Sequence, residues 1–318
     1  MRTPVHPGDQ IDHYKIEGVA DRTGSASVFR AIDLRTQNTV AIKMPDPEME
    51  ADPVFFERFQ REQEIGRSLH HPGILRIFSD EQRSQTYIVS EWFDGVSLRQ
   101  ILNTEKLSHD RAIRIALNIA NALAYIQDRG VRHRDVRPEN ILVGAADEIK
   151  LTNFGTATKT GARRITFTNI AQVVGVSEYV SPEELNGKRD DARSDIYSLG
   201  VILYEMLTRK TPFQGSSPYD RLLKHPLPPR ELDASISVQL QEVIYRALER
   251  EPKDRYANAH EFSSDLANLD SVNVIRRPQS QAIQKAPVSV GKRVILFLGI
   301  AALPVVIFVL LLYFAHAR

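Results

Sequence analysis

A cluster of polar side chains constrains this chain more than any other feature. The stretch HRDVRPEN, residues 133–140, places an acid, cations and an amide close together, and the triplet NFG follows at residues 153–155. The stretch comes directly after a long segment whose apolar residues recur at helical spacing. Such a density of polar groups in a loop is typical of a site that performs chemistry. The alternative is a charged, solvated turn, and the motifs elsewhere in the chain decide between the two.

Length and composition exclude several classes of protein. The chain has 318 residues and is 42% hydrophobic, which is enough for a sizeable core in two subdomains or two small domains. The formal net charge is +1, so no overall field favours nucleic acid as a partner. The absence of cysteine excludes disulfides, thiolate metal sites and a cysteine nucleophile.

The pattern of apolar residues changes near residue 95. Before it, strands are predicted at 11–16, 27–33, 39–44, 74–78 and 86–90, with one amphipathic helix at 54–69. After it, helices are predicted at 110–129, 194–207, 238–248 and 259–269. We therefore expect an α+β chain with a small strand-rich lobe, residues 11–94, and a larger helical lobe, residues 95–268. Residues 1–10 are expected to form an N-terminal tail.

The order of the motifs resembles that of the Ser/Thr protein kinase family, most closely its bacterial membrane-anchored members. From about residue 11 to residue 268 the chain reads a strand ending in VAIK, a helix with a central glutamate, the HRD loop, NFG, SPE and a late arginine. Several motifs in one order are far more specific than any single motif. The resemblance implies a two-lobed protein-kinase-like fold, ATP and Mg²⁺ or Mn²⁺ as ligands, and a protein as substrate or partner.

The resemblance also implies roles for individual residues. Asp135 matches the aspartate that accepts or orients the substrate hydroxyl, and Asn140 matches a metal ligand. Arg137 stands where a lysine usually neutralises the γ-phosphate, and its planar guanidinium is bulkier. Lys43 matches the lysine that contacts the α- and β-phosphates, and Glu62 matches the glutamate that pairs with it.

Further positions follow from the same match. The other residues implied at the nucleotide site are Gly24, Val28, Glu91 and Phe93. The implied structural residues are Glu183 and Arg255, which form a buried ion pair, and Asp195, which holds the catalytic loop. Candidate phosphorylation sites are Thr166 and Thr168, and Arg134 is the residue that would receive the phosphate.

Two departures from the family pattern bear on catalysis. Asn153 replaces the aspartate that bridges Mg²⁺ to the phosphates, and an amide oxygen is a weaker, uncharged ligand. Its loss is expected to cost on the order of a thousand-fold in rate. The family's GxGxxG positions are Asp21, Thr23 and Ala26, with Gly24 as the one adjacent glycine. Two readings stay open here: a distorted loop that still covers a nucleotide, or a turn that never does.

Three more positions are unusual. Val176 lacks the hydroxyl that the family places near the catalytic aspartate. Gly66 replaces a bulky apolar residue one turn after Glu62, so we expect a cavity that loosens the helix. Ser90, before the connecting segment, is small and would leave room behind the adenine site.

The C-terminal part carries a different signal. Residues 294–314 are apolar and uncharged over roughly the length that a bilayer core requires. The segment is predicted to be a single transmembrane helix, preceded by a juxtamembrane linker at 269–293 and followed by a short tail at 315–318. The basic residues that precede it are Arg276, Arg277, Lys285, Lys292 and Arg293. By the positive-inside rule, the kinase-like domain is expected in the cytoplasm at the cell membrane.

Two functions of different class follow. The first is a pseudokinase or a strongly weakened kinase that regulates or recruits a partner. The second is an active Ser/Thr kinase that transfers the γ-phosphate of ATP with Asp135 as base. A purely structural membrane scaffold fits the C-terminal segment but does not explain why Lys43, Asp135 and Asn140 are present.

Overall fold

The computed structural model describes residues 5–22, 25–78, 83–161, 177–188, 190–213, 217 and 219–275. The chain divides into two compact units, Met1–Val274 and Ile275–Arg318. The account below concerns the first unit. Among the described helices none is both long enough and apolar enough to cross a bilayer. The predicted span at 294–314, the tail at 315–318 and linker residues 276–293 lie outside the described residues.

The small lobe is built on one antiparallel sheet whose strand order is β1-β2-β3-β4-β6-β5. Its strands are β1 Gln10–Ile11, β2 Tyr14–Arg22, β3 Ala26–Asp33, β4 Thr39–Pro45, β5 Ile77–Phe78 and β6 Ile88–Glu91. In β4 the side chains of Val40, Ile42 and Met44 are buried on one face. Because strand side chains alternate, Lys43 points to the opposite face.

The predicted strand at 11–16 is wrong as a single element. Asp12 has φ of +52°, so the chain turns there, and Ile11 pairs with Tyr14 across a tight hairpin. The second strand of that hairpin runs on to Arg22, further than predicted, with register shifts against β3. Gly24 lies outside the described residues.

Helix α1, Pro53–Arg67, packs beneath this sheet. Asp52 caps it by accepting hydrogen bonds from the backbone N–H groups of Val54 and Phe55, and a proline occupies the first turn. The expected cavity at Gly66 is wrong. A Cβ built on Gly66 would lie 2.3 Å from Cδ1 of Ile77, so the β5 side chain already fills that space. The helix is therefore packed closely at this turn.

The large lobe consists mainly of helices. They are α2 Leu98–Thr104, α3 His109–Gln127, α4 Pro182–Leu185, α5 Arg193–Thr208, α6 Asp220–Leu223, α7 Pro229–Leu232, α8 Val238–Ala247 and α9 Ala259–Ala267. Helix α5 is buried along its length from Ser194 to Leu207, as its nearly continuous apolar sequence predicts. Helices α3, α8 and α9 pack around it and form the main core.

Two small sheets place the polar motifs at the junction of the lobes. One has the order β10-β9-β7, with β7 Gly95–Ser97, β9 Ile141–Gly144 and β10 Ile149–Leu151. The other pairs β8, Val131–Arg132, with β11, Thr158–Lys159. The HRDVRPEN stretch connects β8 to β9, and NFG connects β10 to β11. The paired strands thereby hold both polar loops against each other. This is a two-lobed architecture with a strand-rich and a helical lobe, as predicted.

Candidate active site

Lys43 of β4 and Glu62 of α1 form an ion pair within the small lobe. Nζ of Lys43 lies 2.7 Å from Oε2 and 2.9 Å from Oε1 of Glu62. Glu62 is buried and the lysine side chain is partly exposed. A charge-assisted pair of this kind fixes the lysine ammonium at the cleft face of the sheet. Their roles toward a nucleotide remain a prediction.

Helix α5 holds the HRDVRPEN loop in place through the side chain of Asp195. Both carboxylate oxygens of Asp195 accept backbone hydrogen bonds, from His133 and from Arg134, each at 2.9 Å. Arg134 has φ of +66°, a backbone conformation that non-glycine residues seldom adopt. The two hydrogen bonds to Asp195 stabilise that conformation. Burial raises the pKa of Asp195 to about 6.

His133 is a fully buried part of the same loop. Its Nε2 donates to the carbonyl of Thr152 at 2.8 Å, and its Nδ1 accepts from the backbone N–H of Asp135. The imidazole is therefore neutral, with the proton on Nε2. Burial lowers its pKa to about 4. In this form the ring joins the HRD loop to the segment that leads into NFG.

Asp135, Asn140 and Asn153 meet in one hydrogen-bonded group. The amide of Asn140 donates to Oδ2 and to the backbone carbonyl of Asp135, both at 2.8 Å. The amide of Asn153 donates to Oδ1 of Asn140 at 3.1 Å and to Oδ2 of Asp135 at 3.4 Å. Asn153 has φ of +65°, which asparagine tolerates better than most residues. Burial raises the pKa of Asp135, against the opposing effects of Arg137 and the Asn140 hydrogen bond.

This group gives a divalent ion few ligands. It offers the amide oxygens of Asn140 and Asn153 and one carboxylate, and no cluster of three His, Cys, Asp or Glu occurs within the described ranges. Mg²⁺ prefers carboxylates and water in octahedral geometry. The donor set therefore fits a single, weakly held ion better than two tightly bound ones.

Arg137 is held by a charged network that the sequence alone did not suggest. Its Nε donates to Oε2 of Glu139 at 2.7 Å. The other oxygen of Glu139 accepts from Nε of Arg99 at 2.9 Å, and Nη1 of Arg99 donates to Glu205 at 2.7 Å. The hydroxyl of Tyr179 donates to Glu205 and accepts from Arg99. Although burial opposes it, the two arginines lower the pKa of Glu139 to about 2.

The predicted structural pair lies deep in the large lobe. Arg255 donates to both oxygens of Glu183, at 2.7 and 2.6 Å, and both residues are buried. Ser194 at the start of α5 donates to the same carboxylate at 2.6 Å. Burial raises the pKa of Glu183, but the hydrogen bonds from Arg255 outweigh it, so the pKa lies below its usual value. The bidentate pair joins α4 to the last part of the domain.

The connecting segment between the lobes is fixed by side chains from both of them. Oε1 of Glu91 accepts from Nζ of Lys150 on β10 at 2.7 Å and from the backbone N–H of Arg76 at 2.9 Å. Lys150 also lies 5.8 Å from the ring centroid of Phe93. Val28 pairs with Lys43 across the sheet. Ser90, buried behind the segment, donates its hydroxyl to the carbonyl of Glu91 at 3.3 Å.

Some predicted positions lie outside the described residues. These are Gly24, Thr166, Thr168 and Val176. The residues to which sequence reasoning gave no role are Arg99, Glu139, Glu205, Tyr179 and Lys150. Glu139 stood within the HRDVRPEN stretch and could have been singled out there. Tyr179 ends the GVSEY stretch, which stands where the family has GTxxY. Arg99, Glu205 and Lys150 come from separate elements with no local motif, so only the folded chain brings them to the site.

Comparison with known proteins agrees with this geometry. Residues 22–266 match the family model described as "Protein kinase domain". The chain belongs to the protein kinase family. Over 280 residues it is 37% identical to the serine/threonine-protein kinase PknB of Mycobacterium tuberculosis, which covers 85% of this chain and 44% of PknB. It is also 35% identical over 263 residues to a probable serine/threonine-protein kinase of Streptomyces coelicolor, covering 80% of this chain and 39% of that protein.

The solved structures agree on the kinase fold. The kinase domain of Mycobacterium tuberculosis PknI superposes with a TM-score of 0.66 at 25% identity, covering 84% of this chain and all of that domain. The chain spans less than half the length of the curated kinases that it matches. Its membership of the Ser/Thr kinase family therefore concerns the kinase domain.

Proposed function

We propose that this chain is a membrane-anchored signalling protein of the Ser/Thr kinase family in which phosphoryl transfer is strongly weakened. It binds ATP and regulates or recruits a protein partner. The observation that carries the proposal is the group formed by Asn153, Asn140 and Asp135. Here an amide replaces the carboxylate expected at the head of NFG, and that amide donates to the very oxygen with which Asn140 would bind a metal ion.

Several residues support nucleotide binding. The Lys43–Glu62 pair presents an ammonium group at the cleft, where it would contact phosphate oxygens. Glu91 and Phe93 provide the backbone of the connecting segment for the adenine ring. A divalent ion, when bound, would neutralise phosphate charge, and Asn140 and Asn153 would supply its protein ligands after their mutual hydrogen bond breaks. Phosphoryl transfer depends mainly on positioning and electrostatics, so a missing carboxylate weakens it directly.

A second function, an active Ser/Thr kinase, is favoured by a separate observation. Asp135 is present, buried and hydrogen-bonded by Asn140, and its pKa is raised. A carboxylate with a raised pKa is a better proton acceptor for a substrate hydroxyl. The two functions differ in the expected rate of phosphate transfer, so a measured rate separates them.

The anchor is part of the same proposal. Residues 294–314 are uncharged and apolar over roughly the length of a spanning helix, with five basic residues shortly before them. Carbonate extraction of membranes from cells that express the full chain should leave it in the membrane fraction. A chain ending at residue 275 should be released, and equal release of both forms would contradict the anchor.

Two measurements test the catalytic part. Thermal unfolding with ATP, in the presence and absence of Mg²⁺, reports nucleotide binding. Transfer of labelled γ-phosphate by the wild type, Asn153→Asp and Asp135→Ala reports catalysis. The proposal expects binding with little transfer in the wild type. If the wild type transfers phosphate at rates ordinary for kinases and Asp135→Ala abolishes that transfer, the weakened-kinase proposal is wrong and the second function stands.

A further inference from the structure

Arg221 is an arginine of α6 whose guanidinium is buried, with 5% of the residue exposed. Its Nη1 lies 3.0 Å from the carbonyl oxygen of Ser177, 3.1 Å from that of Glu178 and 2.6 Å from that of Val180. Within the part of the chain that the structure describes, these carbonyls are the hydrogen-bond partners of the guanidinium. A charged group is costly to bury unless hydrogen bonds compensate it, so the three carbonyls fix its place.

The fourth carbonyl of this short stretch is held in the same way. The hydroxyl of Ser198, on α5, donates to the carbonyl of Tyr179 at 2.8 Å. All four carbonyls of residues 177–180, here called the 177–180 segment, are therefore directed at side chains of α5 and α6. The segment has no regular secondary structure. A backbone hydrogen bond from the N–H of Val180 to the carbonyl of Ser177, at 3.2 Å, also closes this turn, and Arg221 supplies three of the four side-chain contacts to the carbonyls.

The 177–180 segment is also joined to the catalytic loop. The hydroxyl of Tyr179 bonds Glu205 and Arg99, and Arg99 in turn holds Glu139, which binds Arg137. The segment therefore lies beside the loop that carries Asp135. A polypeptide whose hydroxyl reached Asp135 would extend near this segment.

We propose that Arg221 is a positioning residue for protein recognition, which holds the 177–180 segment in the conformation that contacts a bound polypeptide. The inference rests on the proposed function in needing a protein partner or substrate at this face. The inference goes beyond the proposed function because it assigns the conformation of the 177–180 segment to one buried arginine outside the cleft. All three contacts come from the single nitrogen Nη1, so lysine, whose ammonium carries three donors on a shorter and more flexible stem, replaces them only in part.

The test uses the full chain with Asn153→Asp as the parent, so that transfer is measurable. Variants are Arg221→Met, Arg221→Lys and the control Arg230→Met, which removes another arginine that donates to a carbonyl, that of Ile236. The probe is a degenerate mixture of serine- and threonine-containing peptides. We expect Arg221→Met to raise the KM for peptide about tenfold, with kcat and the KM for ATP changed by less than about twofold. The KM for peptide of Arg221→Lys should lie between those of the parent and Arg221→Met, and the KM of Arg230→Met should equal that of the parent.

Hydrogen–deuterium exchange gives a readout that does not depend on catalysis. The amides of residues 178–180 should exchange about tenfold faster in Arg221→Met than in the parent, while those of α8 stay unchanged. Equal exchange in the two proteins, or a lower Tm with an unchanged KM for peptide, would overturn the inference. If the parent transfers no phosphate, departures other than Asn153 limit catalysis, and the proposed function is then judged by ATP binding alone. Arg221 is then tested by hydrogen–deuterium exchange with the peptide mixture present. The mixture should slow exchange of the 177–180 segment in the parent but not in Arg221→Met. If the mixture changes exchange equally in the two proteins, the inference is overturned.

Discussion

The side-chain amide of Asn153 lies 3.1 Å from Oδ1 of Asn140 and donates a hydrogen bond to it. In this arrangement the two residues that are proposed to ligate a metal ion form a hydrogen bond with each other. A carboxylate at position 153 would have no hydrogen to donate, so both oxygens would be available to a cation. The identity of one atom, nitrogen or oxygen, thus determines whether this part of the cleft favours a closed amide pair or an ion.

The first prediction concerns that atom. Asn153→Asp should increase the rate of γ-phosphate transfer on the order of a thousand-fold, because it restores an anionic metal ligand. It should also lower the Mg²⁺ concentration needed for half-maximal ATP stabilisation. Asn153→Ser, which has neither the amide nor the carboxylate, is the matched control. An Asn153→Asp protein that is no faster than wild type would show that other departures limit catalysis.

The second prediction concerns Lys43. Lys43→Met should remove most of the rise in Tm that ATP produces, because the ammonium that Glu62 holds at the cleft is the phosphate contact. Lys15→Met, at an exposed lysine of the neighbouring strand β2, should keep the full rise. Differential scanning fluorimetry over a range of ATP concentrations measures both. If the two variants respond to ATP alike, Lys43 is not the phosphate contact.

The third prediction concerns the close packing of Gly66 against Ile77. Gly66 is the penultimate residue of α1, where the advantage of alanine over glycine is smaller than the about 1 kcal/mol of a helix interior, and the added Cβ would overlap Cδ1 of Ile77. Gly66→Ala should therefore be about 1 kcal/mol more favourable in an Ile77→Val background, which lacks that methyl group, than in the wild type. Urea unfolding of the four proteins measures this coupling. Additive effects would indicate that Ile77 moves aside freely.

The fourth prediction concerns the pH dependence of stability. Burial lowers the pKa of His133 to about 4, from an unfolded value of 6.5. Between these values the unfolded chain binds a proton that the folded chain does not, so this residue reduces stability as the pH falls from 6.5 towards 4. Above pH 6.5 the imidazole is neutral in both the folded and the unfolded chain, so this loss of stability is absent.

The corresponding test compares the wild type with His133→Gln, whose amide can donate to Thr152 but does not titrate. The stability of the wild type relative to the variant should decrease by about 2 kcal/mol between pH 7.5 and pH 4.5. Urea unfolding at the two pH values measures the difference. The comparison cancels the contributions of other buried acids, among them Asp195. A pH-independent difference would show that the imidazole titrates normally.

The sequence by itself determined the family and the two-lobed α+β architecture. It also determined which strand, helix or loop carries each motif. Local patterns sufficed, because helix and strand periodicity and short motifs are encoded by neighbouring residues. The pairs Lys43–Glu62 and Glu183–Arg255, and the hold of Asp195 on the catalytic loop, are contacts between motifs. Their partners were found by resemblance, and the structure brings them within hydrogen-bond distance.

Only the tertiary structure decided the contacts that no motif encodes. The side chain of Ile77 fills the space beside Gly66, although the missing side chain had predicted a cavity. Arg99 of α2 contacts both Glu139 in the HRDVRPEN loop and Glu205 of α5, and Arg221 of α6 contacts the 177–180 segment. Such contacts depend on how elements far apart in the chain pack together. A long charged side chain carries no local sign of which backbone it will meet.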